Sequence, residues 1–206
     1  MFKLKVLLIL SLLFAYTTHA DAPYVEDSLL KKINEKYKIY AKKRFALLQE
    51  TLDYAKGKTD LEKLEAVNDF FNEVRYSSDM KVYGKSDYWA TPWEFLGKDR
   101  GDCEDYVISK YFALKYLRVD YKKLFFTYVR STKFKEPHMV LTYFETPKSE
   151  PLVLDNYNRK IFPASQRKDL TPIYNFNGDM LDEIGDNEKS HKKWDELKLN
   201  MQRKKI

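Results

Sequence analysis

A single cysteine behind a predicted export signal is the feature that most constrains how this chain can fold. Residues 1–20 combine two lysines, an apolar run over residues 6–14 and a small residue at Ala20, which is typical of a cleaved secretory signal peptide. A membrane-spanning helix needs about 20 apolar residues, so retention as an uncleaved anchor is the lesser alternative. Cys103 alone cannot form an internal disulfide, even in an oxidising compartment. The fold must therefore be held by a hydrophobic core.

The remaining residues 21–206 predict one domain with a helical N-terminal region and a basic C-terminal tail. A chain of this length can bury about two-thirds of its unfolded surface. The formal net charge of +6 is too small to indicate a nucleic-acid-binding protein. Many of the basic residues lie between 189 and 205, where the pattern predicts a solvated helix rather than a surface for anionic lipid or an acidic partner.

Helical periodicity dominates the first half of the chain. Apolar residues between 26 and 56 recur at helical spacing and predict an amphipathic helix with room for one break. Thr59 with Glu62, and Thr91 with Glu94, each match a capping box, so we expect helices to begin there. A strongly apolar helix is expected to follow Cys103, which places the cysteine in its first turn.

After residue 120 the pattern changes to short segments rich in aromatic and β-branched residues. Residues 124–129, 138–144 and 152–157 predict antiparallel strands, and residues 161–176 predict a further strand or return loop. A last helix is expected after residue 189. The predicted fold class is α+β, with N-terminal helices and a central Cys-bearing helix packed on an antiparallel sheet.

Cys103 is the candidate nucleophile. The positive end of a helix stabilises a thiolate, although a buried and inert thiol is the alternative. A cysteine nucleophile also needs a base that is oriented by a third polar group. His138 opens an apolar strand, where an imidazole can be held firmly, whereas His191 lies in a run of charges. Asp155 interrupts another strand and would fix the tautomer of His138 if these strands are neighbours, but it also fits a turn.

Three carboxylates crowd the candidate nucleophile: Asp102, Glu104 and Asp105. Their charges raise the pKa of a nearby thiol, so something has to neutralise them. One interpretation is that Asp102 caps the helix and the other two favour its dipole. Clustered carboxylates are also the ligands that Ca²⁺ prefers, which makes metal-dependent activity a hypothesis. Zinc is disfavoured because His and Cys residues are too few.

Several segments resemble the bacterial transglutaminase-like cysteine protease family, LapG type. They are residues 89–96, 101–106, 137–141, 154–156 and 169–177, which occur in the family's order. The resemblance implies a papain-like or transglutaminase-like fold with a Cys103–His138–Asp155 catalytic triad. It also implies that acidic residues around the cysteine, carried over to Asp102, Glu104 and Asp105, bind Ca²⁺.

The same resemblance implies a function. Such enzymes are periplasmic thiol endopeptidases that cleave a large surface adhesin near its N-terminus, which releases the adhesin and controls biofilm attachment. An inner-membrane cyclic di-GMP receptor sequesters the protease in that family. The expectation here is the same, with a transglutaminase-like acyl transferase or a noncatalytic calcium-binding adaptor as alternatives. The Cys103 N–H would contribute to an oxyanion hole, and Trp89 and Trp93 are more typical of a core than of a catalytic cleft.

Overall fold

The computed structural model describes residues 22–133, 137–180 and 188–206, and side chains at 188–191 lie outside this description. The predicted signal peptide over residues 1–20 therefore lies outside the described residues, as does the side chain of His191. In the described part of the chain, no helix has the length and apolar character needed to cross a membrane.

Helices make up most of the first half of the chain, as predicted. They are α1 Asp27–Ala55, α2 Asp60–Phe71, α3 Asp79–Tyr83, α4 Pro92–Lys98, α5 Cys103–Tyr116 and, near the C-terminus, α6 Glu188–Gln202. Short 3₁₀ turns cover Tyr121–Lys123, Ala164–Gln166 and Gly178–Met180. The predicted break in α1 falls at Lys38, whose φ of 71° is non-helical.

Both predicted capping boxes form. The Thr59 hydroxyl accepts a hydrogen bond from the Glu62 N–H, and the Glu62 carboxylate accepts one from the Thr59 N–H. The same reciprocal pair joins Thr91 and Glu94 at the start of α4, where Pro92 occupies the first helical position. These caps satisfy N–H groups that a helix leaves unpaired at its N-terminus.

Two sheets complete the fold. The larger has five antiparallel strands in the order β6–β5–β4–β3–β7, and these span Leu124–Ser131 (β3), Pro137–Tyr143 (β4), Leu152–Leu154 (β5), Phe162–Pro163 (β6) and Leu170–Phe176 (β7). The smaller pairs β1 Arg75–Tyr76 with β2 Arg100–Gly101 in parallel. The predicted α+β class, with helices and an antiparallel sheet, is confirmed. Strand β4 is the central strand and lies between β3 and β5.

The main core lies between the helices and one face of the large sheet. Helix α5 packs against α2, α4 and β4, and most of its apolar residues are buried. Trp89 and Trp93 are buried in this core, as expected for tryptophans next to a capping box. The opposite face of the sheet carries a smaller cluster of Val129, Val140 and Val153.

The C-terminal helix differs from its prediction. Its charge pattern predicts a solvated helix, but Trp194 is only 1% exposed and packs against Tyr111 and Phe112 of α5 at ring distances of 5.6 and 5.7 Å. After the helix, the Lys205 carbonyl accepts a hydrogen bond from the Thr91 hydroxyl. The prediction was wrong for this face because a single large aromatic residue outweighs several exposed lysines in apolar area.

Candidate active site

Cys103 is the first residue of α5 and is partly buried. Its thiol donates a hydrogen bond to Glu104 Oε2 at 2.9 Å, and the backbone N–H of Met139 points at the sulfur. Because Met139 directly follows His138 in β4, the thiol lies against the strand that carries the candidate base. The N-terminal position of Cys103 gives the sulfur the favourable end of the helix dipole.

The turn that delivers Cys103 depends on Gly101. This residue pairs with Tyr76 in the small sheet, and its carbonyl accepts a hydrogen bond from the Ser77 N–H at 2.7 Å. A Cβ at this position would collide with the Asp105 carboxylate and the Phe95 ring. A residue without a side chain is therefore required for this close approach.

The structure brings His138 and Asp155 together. His138 is the second residue of β4, Asp155 directly follows β5, and these two strands are hydrogen-bonded neighbours. His138 Nε2 lies 2.8 Å from Asp155 Oδ1, and the two residues are 3% and 1% exposed. The ring of Tyr157 lies against the imidazole with a centroid distance of 4.7 Å.

The Asp155 carboxylate is ionised in this setting. Burial raises its pKa, but hydrogen bonds from His138, from the Tyr157 N–H and from Arg167 outweigh burial and lower the pKa to about 2. An ionised carboxylate only accepts hydrogen bonds, so His138 Nε2 carries the proton in their contact. In the neutral imidazole, this arrangement leaves the lone pair on Nδ1.

Sequence reasoning missed two groups that hold Asp155. Arg167 Nη2 donates to Asp155 Oδ2 at 2.7 Å, and the Asn72 amide donates to the Asp155 carbonyl at 2.8 Å. Behind them, the buried Lys110 ammonium donates to Asn68 at 2.9 Å, and burial lowers the Lys110 pKa to about 7. Lys110 interrupts an apolar helix face, which is the one local signal that could have revealed it.

Three carboxylates form a cluster beside Cys103. Ligand atoms of Asp79, Asp102 and Glu104 all lie within 4.8 Å of one another. Sequence reasoning proposed Asp102 and Glu104 but missed Asp79, the first residue of α3. The Asp79 N–H also donates to Asp102 Oδ2 at 3.2 Å, so the backbone of α3 fixes this side of the cluster. Asp102 occupies the N-cap position of α5 but makes no capping hydrogen bond.

In the described part of the chain, the carboxylates of this cluster raise one another's pKa, and the opposing effect of Lys193 on Asp79 is smaller. Burial, followed by the charges of Glu104 and Asp79, raises the pKa of Asp102 to about 8. Burial likewise raises the pKa of Asp79 to about 6, and burial together with Glu104 raises that of the Cys103 thiol. Among the described residues, Asp79 Oδ1 and Asp102 Oδ1 are buried without a hydrogen-bond partner. Oxygen ligands with unmet charge suit a hard cation such as Ca²⁺.

Asp105 lies outside this three-carboxylate cluster in the described structure. Its side chain is fully buried, and Oδ1 accepts a hydrogen bond from the Ala90 N–H at 2.9 Å. This bond joins α5 to the segment that precedes α4. Burial, followed by the charge of Asp102, raises the Asp105 pKa.

Comparison with known proteins identifies the family. The family model described as bacterial transglutaminase-like cysteine proteinase, BTLCP, matches residues 40–170, which is more than half of the chain. The chain belongs to this family. No curated protein gives a significant match.

Three solved structures of one protein are also similar to this chain. LapG of Legionella pneumophila is 38% identical and matches with a TM-score of 0.73 over 87% of this chain and 99% of the LapG chain. A calcium-bound LapG structure matches at 39% identity with a TM-score of 0.69, over 84% of this chain and 98% of that one. An EGTA-treated form gives 38% identity and a TM-score of 0.71, over 85% and 97%. The predicted family resemblance and transglutaminase-like fold are confirmed.

Proposed function

We propose that this BTLCP protein is an exported, periplasmic, calcium-dependent cysteine endopeptidase with Cys103, His138 and Asp155 as its catalytic triad. Its substrate in this proposal is a large surface adhesin, which it cleaves in the N-terminal region to release the adhesin and control biofilm attachment. The observation that carries the proposal is the buried His138–Asp155 pair, with Cys103 held against the same strand by the Met139 N–H.

The chemistry follows from the roles of these residues. His138 Nδ1 takes the proton of the Cys103 thiol, and the sulfur attacks the carbonyl carbon of the scissile peptide bond. The Cys103 N–H, at the start of α5, donates to the oxyanion that forms. His138 then passes its proton to the leaving amine, which breaks the peptide C–N bond and leaves an acyl-enzyme. A water molecule that His138 deprotonates attacks the acyl carbon and releases the carboxylic acid and the thiol.

Calcium is the cofactor in this proposal. Asp79, Asp102 and Glu104 would hold the ion, because their unmet negative charge and unpaired oxygens suit it. A bound cation would neutralise the carboxylates that raise the pKa of the Cys103 thiol. That Asp105 is a further ligand stays a prediction. Its Oδ2 atom has no hydrogen-bond partner among the described residues, and Oδ1 is engaged by Ala90.

The family resemblance also supports the proposed compartment and partners. The signal peptide predicted over residues 1–20 would export the chain to the periplasm. An inner-membrane cyclic di-GMP receptor would capture the protease there and hold it away from the adhesin. Co-purification with the periplasmic domain of such a receptor from the same organism tests this part separately from catalysis.

Cleavage of the adhesin N-terminal domain from the same organism tests the proposed activity. We expect the purified protein to cleave this domain in calcium, and cleavage to be lost with a calcium chelator and in Cys103→Ala. Mass spectrometry of the products should find a new terminus. An isopeptide bond to an amine would indicate acyl transfer instead. Absence of cleavage together with an unreactive Cys103 would indicate a noncatalytic protein, and cleavage that survives the chelator would contradict the role of calcium.

A further inference from the structure

Arg167 is not a member of the proposed triad, yet it contacts the triad residue Asp155 directly. The residue follows the 3₁₀ turn Ala164–Gln166 and is only 5% exposed. Its Nη2 atom lies 2.7 Å from Asp155 Oδ2 and 2.8 Å from Asp169 Oδ2, and its Nε atom lies 2.9 Å from Asp169 Oδ1. The contact with Asp169 is a two-point pair at the surface, whereas the bond to Asp155 is buried.

The two oxygens of Asp155 therefore accept hydrogen bonds from different donors. Oδ1 accepts hydrogen bonds from His138 at 2.8 Å and from the Tyr157 N–H at 3.0 Å. Oδ2 accepts from Arg167. The terminal torsion of an aspartate has a broad minimum, so hydrogen bonds on both oxygens are what fix the carboxylate plane.

We infer that Arg167 is a positioning residue of the active site, which holds the Asp155 carboxylate so that Oδ1 faces His138 and leaves Nδ1 free to accept the Cys103 proton. This inference rests on the proposed function, because it assigns a task within the same triad. Arg167 touches neither the substrate nor the sulfur in this role, and it acts only through Asp155.

The positive charge of Arg167 supports the same positioning role. The guanidinium is one of the groups that keep Asp155 ionised, and a protonated Asp155 could not hold the Nε2–H tautomer of His138. The other charged groups that act on this carboxylate are Lys110 from α5 and Asp169 beside Arg167. Lys110 donates its hydrogen bond to Asn68 and makes none to Asp155, so it cannot replace the directional bond from Arg167.

The competing explanation is that Arg167 only ties the 3₁₀ turn to β5. Two control variants separate these roles. Asp169→Asn weakens the surface pair of Arg167 and leaves its bond to Asp155 in place. Arg159→Met removes the charge of an arginine whose side chain is 65% exposed and which pairs with Glu73, in the loop that follows Asp155. If Arg167 were only a structural tie, or acted only through its charge, these variants should also change the reactivity of Cys103.

The main test is the rate at which iodoacetamide alkylates Cys103, measured against pH with calcium present. This readout needs no adhesin, so it is independent of whether the proposed substrate is correct. We expect Arg167→Met to react about 10-fold more slowly near neutral pH and to lose reactivity at higher pH than the wild type as the solution is acidified. Asp169→Asn and Arg159→Met should stay within about twofold of the wild type. An Arg167→Met rate equal to that of the wild type, or an equal loss in Asp169→Asn, would overturn the inference.

Nuclear magnetic resonance of the His138 ring provides a second readout that a purely structural role would not move. In the wild type we expect the Nε2–H tautomer, and in Arg167→Met a mixture of tautomers. If Arg167→Met does not fold, Arg167→Lys serves instead, because lysine keeps the charge but loses the fork geometry. Its expected alkylation rate is about threefold to tenfold below that of the wild type. An unchanged rate together with an unchanged tautomer would refute a positioning role.

Discussion

In one part of the candidate site, the Asp155 carboxylate is paired with cationic or donor groups; in the other, the described carboxylates Asp79, Asp102 and Glu104 mainly face one another. The Asp155 carboxylate is surrounded by His138, Arg167 and a backbone N–H, and these lower its pKa to about 2. The Asp102 carboxylate faces other carboxylates, and burial raises its pKa to about 8. Both groups are acidic side chains of the candidate site. The comparison teaches that the described residues balance the charge of Asp155 but not that of the three-carboxylate cluster, a task that our proposal assigns to a cation.

The largest expected effect comes from Asp155→Asn. An asparagine amide has one acceptor and two donors, and Arg167 already donates towards the Oδ2 position. If the NH₂ group of the new asparagine occupies this position, it faces the N–H donor of Arg167. In the reverse orientation, the NH₂ group faces His138 and favours the wrong tautomer. We expect kcat to fall by about 10³- to 10⁴-fold, although asparagine serves other cysteine proteases. Peptide-cleavage kinetics measure this.

A double variant sharpens that prediction. Removing the opposing donor in Asp155→Asn with Arg167→Met should restore part of the activity, because the amide oxygen can then face His138. Equal activity of the single and double variants would contradict the proposed conflict between the amide and the guanidinium.

Calcium removal should act on the other side of the site. With calcium at about 100 times its dissociation constant, we expect a stabilisation of about 2.7 kcal/mol that a chelator abolishes. Asp79→Asn removes one charged ligand and should weaken binding by at least about tenfold, which lowers this stabilisation to about 1.4 kcal/mol. Thermal unfolding with and without calcium measures both.

Asp87→Asn is the matched control for Asp79→Asn. Asp87 is an exposed acid that pairs with Lys193 and lies outside the three-carboxylate cluster. Its calcium-dependent shift in Tm should equal that of the wild type. A wild-type shift in Asp79→Asn would exclude Asp79 as a ligand.

The smallest predicted effect concerns pH. The pKa of Asp155 is lowered from 3.8 to about 2, so the folded state binds its proton less readily than the unfolded state does. The stability from Asp155 is present above about pH 4 and is lost as the pH falls through about 2; we expect it to be about 2 kcal/mol. The difference in unfolding free energy between the wild type and Asp155→Asn should shrink by this amount over that interval. A difference that does not vary with pH would contradict the assigned ion pairing.

Sequence patterns predicted the fold well where the signal is local. The capping boxes at Thr59 and Thr91 form as expected, because each depends on residues only three positions apart. The strands that begin near residues 124, 138 and 152 were also predicted, since a short segment rich in aromatic and β-branched residues is a local signal. The buried face of α6 was not predicted, because many lysines surround the one tryptophan that anchors it.

The site was harder to predict because its contacts are distant in sequence. His138 and Asp155 could be nominated from their strands, but only the strand order makes them neighbours. Asp79 lies in a five-residue helix within a polar segment, 23 residues before Asp102, and no periodicity connects the two. Arg167 looks like a surface arginine in sequence. Its burial follows from the return of the chain through β6 and the 3₁₀ turn beneath Asp155.

The packing of Trp194 has a consequence for the order in which parts of the chain can fold. This ring packs on Tyr111 and Phe112, on the same helix that starts with Cys103, yet it arrives after every strand of the large sheet. A chain that emerges N-terminus first leaves that aromatic surface uncovered until α6 follows. If the chain is exported as proposed, the helix that begins with Cys103 would therefore complete its packing only after residue 194 has been translocated.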